Sequence, residues 1–398
     1  MLPPDDSWIQ TICTLYPMYS YSQFREIFKG KTKPFAWIDL DALRNNLRVI
    51  EKQAGNMPIR IATKSIRNED ILRVLLKEGK QFCGLMTWSP EETLTLSKNG
   101  FDQLLLGYPI HDSQHYLPLL QEIAKGKKIT FMVDAESQLR QLNQLAATEK
   151  TTVSICIDLD MSSDFPGVHF GVYRSPVNSV EAALKLWHII QELPFLQLRG
   201  VMGYEAQIAG IGDNVPGQGL KNILIRFLKK RSVKEINQRR EKIVKALKAD
   251  GAELEFVNGG GTGSIHETKT DSSVTEITVG SGFFAPTLFD NYSSLNLTPA
   301  AGFAIEIVRK PASHIYTCLG GGYIASGSAG PEKLPSVYLP KRGKLLKNEG
   351  AGEVQTPVVY SGNEKLEIGD PVFFRHAKAG EMMGWFKDVW MVEGGKIL

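Results

Sequence analysis

Short apolar runs rich in β-branched residues alternate with amphipathic segments between about residue 59 and residue 280. Such runs, bounded by turn residues, are typical of parallel strands that are buried on both faces. The pattern predicts eight of them: IRIAT (59–63), FCGLMT (82–87), QLLLGY (103–108), ITFMVD (129–134), VSICID (153–158), LRGVMGY (198–204), LEFVN (254–258) and EITVG (276–280). Eight strands with intervening helices predict an α/β fold, a (β/α)8 TIM barrel. An open doubly wound sheet is the alternative fold.

The pattern changes after about residue 292. The later segment contains short strand-like runs broken by Gly and Pro, with no helical periodicity between them. We therefore predict three parts: an N-terminal segment (1–34), a barrel (35–292) and a C-terminal β-rich domain (293–398). The N-terminal segment fits neither pattern and is expected to pack against one of the other two parts.

Composition and charge argue against several classes of protein. The net charge of +3 is too small to indicate a nucleic-acid partner or an anionic membrane. No run of about 18 apolar residues predicts a transmembrane helix, and the opening MLPPDDSWIQ has acids where a secretion signal is basic. Four widely spaced cysteines indicate neither a disulfide framework nor a zinc site; they are Cys13, Cys83, Cys156 and Cys318. These features predict a cytoplasmic protein.

One strongly basic segment, 227–248, resembles a nucleic-acid signal. Glu235 and Glu241 interleave its bases, and the segment has apolar residues at helical spacing. We interpret it as a helix on the outside of the barrel. The predicted buried stripe consists of Phe227, Leu228, Ile236, Ile243, Val244 and Leu247.

The run GGGTG (259–263) follows the seventh predicted strand. Barrel active sites lie at the C-terminal ends of the strands, and phosphate sites often form after strands seven and eight. Successive backbone N–H groups in a glycine loop can surround an anion. A second Gly/Ser group, VGSGF (279–283), follows the eighth strand. The run therefore predicts a phosphate site, with a tight, closely packed turn as the structural alternative.

Lys64 follows the first predicted strand, so it should lie on the same face of the barrel. A surface or salt-bridged lysine is the alternative interpretation. A lysine that faces a phosphate site can instead form a Schiff base with a carbonyl group. Pyridoxal phosphate (PLP) requires both features, an imine-forming lysine and a phosphate site.

Four segments, in this order and spacing, resemble the fold-type-III PLP enzymes, the group of the alanine racemase N-terminal barrel. They are FAWIDLDALRNNLRVI (35–50), IRIATKS (59–65), VNGGGTGS (257–264) and EITVGSGFF (276–284). The β-rich domain, with PVFFRHAKAGEMM (371–383), resembles the branch that contains D-threonine aldolases and D-serine dehydratases. The resemblance covers nearly the whole chain from about residue 34.

The resemblance implies roles for individual residues. Lys64 matches the Schiff-base lysine. Tyr204 stands where the branch usually has a histidine beside the cofactor, and His169 stands where the family more often has arginine in an R-x-G-V pattern. Both are predicted catalytic residues together with Lys64, and Tyr204 is also a predicted cofactor contact. The remaining predicted cofactor contacts are Gly259, Gly260, Gly261, Thr262, Gly263, Ser281 and Gly282.

The resemblance also bears on a metal. The branch binds a divalent ion through a histidine and an Asp or Cys two residues later, whereas His376 is followed by Ala377 and Lys378. An ammonium group cannot ligate a cation, so we predict no bound metal. Lys378 could instead supply positive charge for a substrate carboxylate.

The resemblance implies a homodimeric, PLP-dependent lyase that acts on a small D-β-hydroxy amino acid through a Schiff base on Lys64, by retro-aldol cleavage or by dehydration. His169, Tyr204 and His376 are then the candidate acid–base groups. Amino-acid racemisation is the nearest alternative. A non-catalytic PLP carrier is a second alternative, although a carrier does not need the β-rich domain. A sugar-phosphate barrel enzyme with a Schiff-base lysine and no PLP is the third.

Overall fold

A computed structural model describes residues 19–398 of the chain. These residues divide into two compact units. One consists of residues 51–64 and 69–280, and the other of residues 19–50, 65–68 and 281–398. The helices are α1 (Tyr21–Ile27), α2 (Leu40–Ala54), α3 (Glu69–Glu78), α4 (Pro90–Lys98), α5 (Ser113–Ala124), α6 (Glu136–Thr148), α7 (Val180–Gln191), α8 (Ala206–Ala209), α9 (Gly219–Ala249) and α10 (Ile265–Thr268).

The first of these units is a closed barrel of eight parallel strands, and each predicted run contributes one strand. The barrel prediction is confirmed. The alternative of an open sheet is wrong, because the last strand pairs with the first, with Val279 opposite Ile61. In order around the barrel the strands are β2 (Ile59–Ala62), β3 (Phe82–Thr87), β4 (Leu104–Leu106), β5 (Ile129–Val133), β6 (Val153–Asp158), β9 (Leu196–Gly203), β10 (Phe256–Gly259) and β11 (Glu276–Val279).

The barrel interior is filled in layers. Its middle contains a buried cluster of Leu105, Met132, Cys156 and Met202. Successive strand side chains point to opposite faces, so residues two positions later face the interior again. Each such later position lies nearer the C-terminal ends of the strands, which we call the barrel mouth. The side chains that face the mouth are therefore those two positions beyond an interior residue on the same strand.

A buried ion pair lies nearer the other end of the barrel. Arg60 of β2 donates from Nε and Nη2 to the Glu276 carboxylate of β11, at 2.7 and 3.0 Å. Asn258 donates to the same carboxylate at 2.8 Å. Gly84 has φ +147°, and a Cβ there would lie 2.7 Å from Arg60 Nη1. The glycine therefore makes room for the guanidinium inside the barrel.

The basic segment belongs to α9, as expected for an outer helix. Ile236, Ile243 and Val244 are buried, but Phe227 is 54% exposed. The predicted stripe is wrong at Phe227, because the first turns of α9 bury Asn222 and Lys229 instead. Leu220, Ile223 and Leu224 are exposed with Phe227.

The second unit is β-rich, as predicted, and contains a nine-stranded sheet. Its first strand, β1 (Phe35–Asp39), pairs antiparallel with β12 (Ala301–Ala312) and parallel with β18 (Val389–Glu393). The residues just after position 34 are therefore part of this sheet, although the sequence grouped them with the barrel; the predicted domain boundaries stay predictions. The other strands are β12 (Ala301–Ala312), β13 (Ile315–Leu319), β14 (Ser336–Leu339), β15 (Gly343–Leu345), β16 (Gln355–Tyr360), β17 (Pro371–Arg375), β18 (Val389–Glu393) and β19 (Lys396–Ile397).

The described part of the N-terminal segment packs into this β-rich unit. Ser20 caps α1 by accepting the Gln23 N–H at 3.2 Å. The Phe24 ring of α1 lies 5.3 Å from the Trp37 ring and 5.1 Å from the Phe373 ring, both nearly perpendicular. An aromatic core therefore attaches α1 to the sheet. Between residues 19 and 398, no helix is both long enough and apolar enough to cross a membrane.

Candidate active site at the barrel mouth

Lys64 lies in a 3-10 turn, Thr63–Ser65, directly after β2. Its Nζ atom donates a hydrogen bond to the Tyr108 hydroxyl at 2.5 Å. Tyr108 follows β4, so the bond joins two strand ends of the barrel mouth. Sequence reasoning missed Tyr108 as a site residue, although it ends the predicted run QLLLGY. Its position just after a predicted strand, one residue beyond Gly107, could have placed Tyr108 at the barrel mouth.

Tyr204 follows β9 at the same mouth. Burial raises the pKa of its hydroxyl to about 12, while the nearby Arg174 guanidinium lowers it in part. The Arg174 Cζ atom lies 5.4 Å from the centre of the Tyr204 ring. Tyr108 also acts on the Tyr204 pKa, raising it. The mouth thus brings together an amine, two phenols and a guanidinium.

The conformation and the close packing of the glycine loop (259–263) account for its glycines. Gly260 has φ +78°, a conformation that favours glycine. A Cβ on Gly261 would lie 3.0 Å from Tyr204 Cε2 and 2.9 Å from Ala209 Cβ. The loop therefore turns sharply at Gly260 and closely approaches Tyr204 at Gly261. Both reasons for a glycine cluster, a turn and a close approach, apply here.

Two of the loop amides are used within the protein. The Gly260 N–H donates to the Glu205 carboxylate at 2.7 Å, and the Gly261 N–H donates to Ser264 Oγ at 3.0 Å. In this arrangement the two N–H groups bond to protein atoms and not to a phosphate. Contacts from Gly259, Thr262 and Gly263 to a phosphate stay a prediction.

A buried network of charged side chains, which we call the loop clamp, is hydrogen-bonded to the backbone of the glycine loop. It consists of Glu205, Arg240 and Asp271. Arg240 is 0% exposed and bonds to both carboxylates, to Asp271 at 2.9 Å. Glu205 in turn accepts the Gly260 N–H. The glycine loop is thus tied to α9 and to the segment after α10.

Two aspartates also lie at the mouth. Asp158 ends β6 and is only 8% exposed, and Asp134 follows β5. Burial raises the pKa of Asp158 to about 7; the Asp134 charge raises it further, and Arg174 opposes the shift. Burial raises the pKa of Asp134 as well, against a hydrogen bond from Gln138. Sequence reasoning missed both aspartates.

The two predicted histidines do not join this group. His169 lies in a hairpin, β7 (Ser163–Phe165) and β8 (Val168–Phe170), where Nδ1 contacts the Asp164 carboxylate at 2.8 Å. Its ring stacks on the exposed Tyr173 at 4.0 Å. None of the described contacts of His169 reaches Lys64 or Tyr204, so its catalytic role remains a prediction without support from these contacts.

His376 follows β17 and is fully buried in the β-rich unit. Within the described residues, neither ring nitrogen has a hydrogen bond of good geometry. Burial, together with the Arg375 charge, lowers the pKa of His376 to about 4. The ring is therefore neutral at ordinary pH and poorly suited to give up a proton.

The last predicted cofactor contacts, Ser281 and Gly282, form a 3-10 turn directly after β11. Gly282 is buried. Their contact with a cofactor stays a prediction. Across residues 19–398, no group of three or more His, Cys, Asp or Glu side chains could hold a metal ion. Cys13 lies outside the described residues; Cys83, Cys156 and Cys318 are free thiols.

The sequence model of the alanine racemase N-terminal domain matches residues 38–286. The chain belongs to this family. The predicted resemblance is thereby confirmed at the level of the family. The match covers every strand of the barrel together with the lysine and the glycine loop described above.

Curated relatives and solved structures extend this result. The chain is 24% identical over 253 residues to a 3-hydroxy-D-aspartate aldolase of Paracoccus denitrificans (strain Pd 1222), a match that spans 63% of this chain and 60% of the relative. A D-threonine aldolase from Filomicrobium marinum has a TM-score of 0.76 at 16% identity, with 92% and 93% of the two chains covered. A D-threo-3-hydroxyaspartate dehydratase from Delftia sp. HT23 has a TM-score of 0.71 at 14% sequence identity, with 93% of this chain and 97% of that chain covered. An alanine racemase of Clostridium difficile 630 has a TM-score of 0.66 at 16% sequence identity, with 93% of this chain and 98% of that chain covered. At these identities the structures share the fold.

Proposed function

We propose that the protein is a PLP-dependent lyase that acts on a small D-β-hydroxy amino acid. The observation that carries the proposal is the position of Lys64 and the glycine loop at one barrel mouth. Each follows a barrel strand, and the strand between them in the barrel order, β11, leads into the predicted contacts Ser281 and Gly282. The names of the relatives, aldolases and a dehydratase of D-β-hydroxy amino acids, support the substrate class.

The residues present fit the cofactor. Gly260 and Gly261 let the loop backbone lie against Thr268 and Tyr204, where a Cβ would meet both side chains. Because the amides of Gly260 and Gly261 are used within the protein, Gly259, Thr262 and Gly263 would supply the direct contacts to the phosphate. Lys64 would hold the cofactor aldehyde, the glycine loop its phosphate, and Tyr204 would lie beside it. When bound, PLP would supply an electron-accepting ring that stabilises negative charge on the substrate Cα atom.

The side chains of the mouth would do the remaining work. Tyr108 positions the Lys64 amine through its hydrogen bond and can accept its proton. Arg174 offers a permanently charged guanidinium, which suits a substrate carboxylate because it can bond to both oxygens. It lies five positions after His169, at which the family more often has arginine. We infer that Arg174 supplies the positive charge that His169 does not.

Racemisation is the second candidate, because an alanine racemase shares the fold. It requires acid–base groups on both faces of the substrate. Product analysis distinguishes the two: D-threonine and D-serine should give an aldehyde with glycine, or a keto acid with ammonia, whereas a racemase would give only the L-amino acids from D-alanine and D-serine.

The cofactor assignment has its own test. Borohydride reduction of the PLP-loaded protein, followed by peptide mapping, should label the peptide that contains Lys64. Lys64→Ala should lose the label, and Lys185→Ala, a change at an exposed lysine of α7, should keep it. Label at another lysine would refute the assignment. Cytoplasmic location and a homodimer remain proposals; sedimentation of the purified protein tests the dimer.

A further inference from the structure

Strands β5 and β6 bring Asp134 and Asp158 to adjacent positions. The strands are parallel, and Met132 pairs with Cys156 in register. Both of these residues belong to the interior cluster. Two positions later, on the same face, stand Asp134 and Asp158. Adjacent strands lie about 4.8 Å apart, so the two aspartates form a neighbouring pair that faces the interior at the barrel mouth.

The carboxylate of Asp158 is not used in hydrogen bonds among the described residues, and the side chain is 8% exposed. No residue between 19 and 398 donates a hydrogen bond to these oxygens, although Ser175 Oγ bonds to its backbone oxygen at 2.6 Å. Asp134, by contrast, accepts a bond from Gln138 at 3.1 Å. The Asp158 carboxylate is therefore available at the barrel mouth to accept a hydrogen bond or a proton from a bound ligand.

The surrounding charges keep this carboxyl near its midpoint of titration at neutral pH. Burial is the largest cause of the raised pKa of Asp158, followed by the Asp134 charge. Arg174 acts in the opposite direction, and Asp160 raises the pKa slightly. Two coupled carboxyls of this kind share protons as a pair. The pair can therefore accept a proton and release it again close to pH 7.

We propose that Asp158, assisted by Asp134, is the proton acceptor for the β-hydroxyl group of the substrate. The proposal rests on the proposed function. As the Cα–Cβ bond breaks, its electron pair remains at Cα, which is later protonated. The electron pair of the O–H bond becomes the second C–O bond of the leaving aldehyde, and the proton moves to the Asp158 carboxylate.

The first test compares PLP-loaded wild type with Asp158→Asn. We expect the kcat for cleavage of D-threonine to fall at least about 100-fold, as for the loss of a general base. The absorbance of the bound cofactor and the exchange of the Cα hydrogen of glycine in D2O, which involves no β-hydroxyl, should change less than threefold. Asp160→Asn is the matched control, because the Asp160 carboxylate is occupied by Ser162 at 2.6 and 3.0 Å.

The second test uses Asp134→Asn. Removing the neighbouring charge should lower the pKa of Asp158, so the acidic limb of the kcat profile should move from near pH 7 to lower pH. A merely structural role would not move this limb. Unchanged cleavage in Asp158→Asn, equal losses of cleavage and exchange, or activity that falls as pH rises through 7 would each overturn the proposal. A wild type that exchanges Cα hydrogens but consumes no β-hydroxy amino acid would overturn the proposed function as well.

Discussion

The loop clamp should couple cofactor affinity to a buried carboxylate that lies behind the loop. In Glu205→Gln, the shape is preserved but the charge is removed. The variant loses the charge-assisted bond to Arg240 and weakens the bond from Gly260, which is 2.7 Å long in the wild type. Hydrogen bonds to charged groups contribute about 1.5–3 kcal/mol each. We therefore expect the free energy of unfolding of the barrel to fall by ~2–4 kcal/mol.

The matched control is Asp271→Asn. Asp271 is as buried as Glu205 and also bonds to Arg240, at 2.9 Å, but it does not contact Gly260. Both variants should lose similar stability in urea unfolding followed by far-UV circular dichroism. Only Glu205→Gln should weaken PLP binding, by about 10-fold in a fluorescence titration. The reason is that weakening the Gly260–Glu205 hydrogen bond by ~1.4 kcal/mol corresponds to a tenfold change in affinity. Equal losses of PLP affinity in the two variants would refute the idea that Glu205 positions the loop.

Three further results are expected. Gly260→Ala should lower both PLP occupancy and thermal stability, because the new Cβ at φ +78° would lie 3.0 Å from Thr268 Oγ1; Gly251→Ala, at φ +88° with open space around it, should cost only ~1–2 kcal/mol and leave PLP binding unchanged. The contribution of Asp158 to stability should fall as pH rises from about 4 to 7, because the pKa of Asp158 is raised in the folded state from 3.8 to about 7; Asp158→Asn should remove this loss, ~2–3 kcal/mol between melting curves recorded at pH 5 and pH 8. Turnover of D-threonine should survive exhaustive chelation; activity that disappears and returns with manganese or zinc would contradict the predicted metal independence.

The barrel could be predicted because its strands are buried on both faces and read as apolar runs between turn residues. Lys64 and the glycine loop followed from their positions at strand ends. Asp134 and Asp158 also end predicted runs, and counting two positions from the interior residues Met132 and Cys156 would have placed them at the mouth.

Other features depend on contacts between distant segments. The loop clamp joins residues after β9, on α9 and after α10, and no local pattern indicates that they meet. The prediction for His169 rests on its place in the family's R-x-G-V pattern, where the family more often has arginine. The structure instead places this stretch in a hairpin, where an exposed Asp164 holds the imidazole.

The pair of Arg60 and Glu276 has a consequence for how the barrel closes. The two residues lie 216 positions apart and on the first and last strands, so they meet only when the ring is complete. A slip of one residue along this seam would turn one partner outward and leave the other charge buried alone, which typically costs about 3–5 kcal/mol. The pair therefore selects one register for the final strand pairing. Such a distant contact forms late, because its loop-closure entropy must be overcome first. Closure of this seam is thus the step at which we expect misregistered folding intermediates to be rejected.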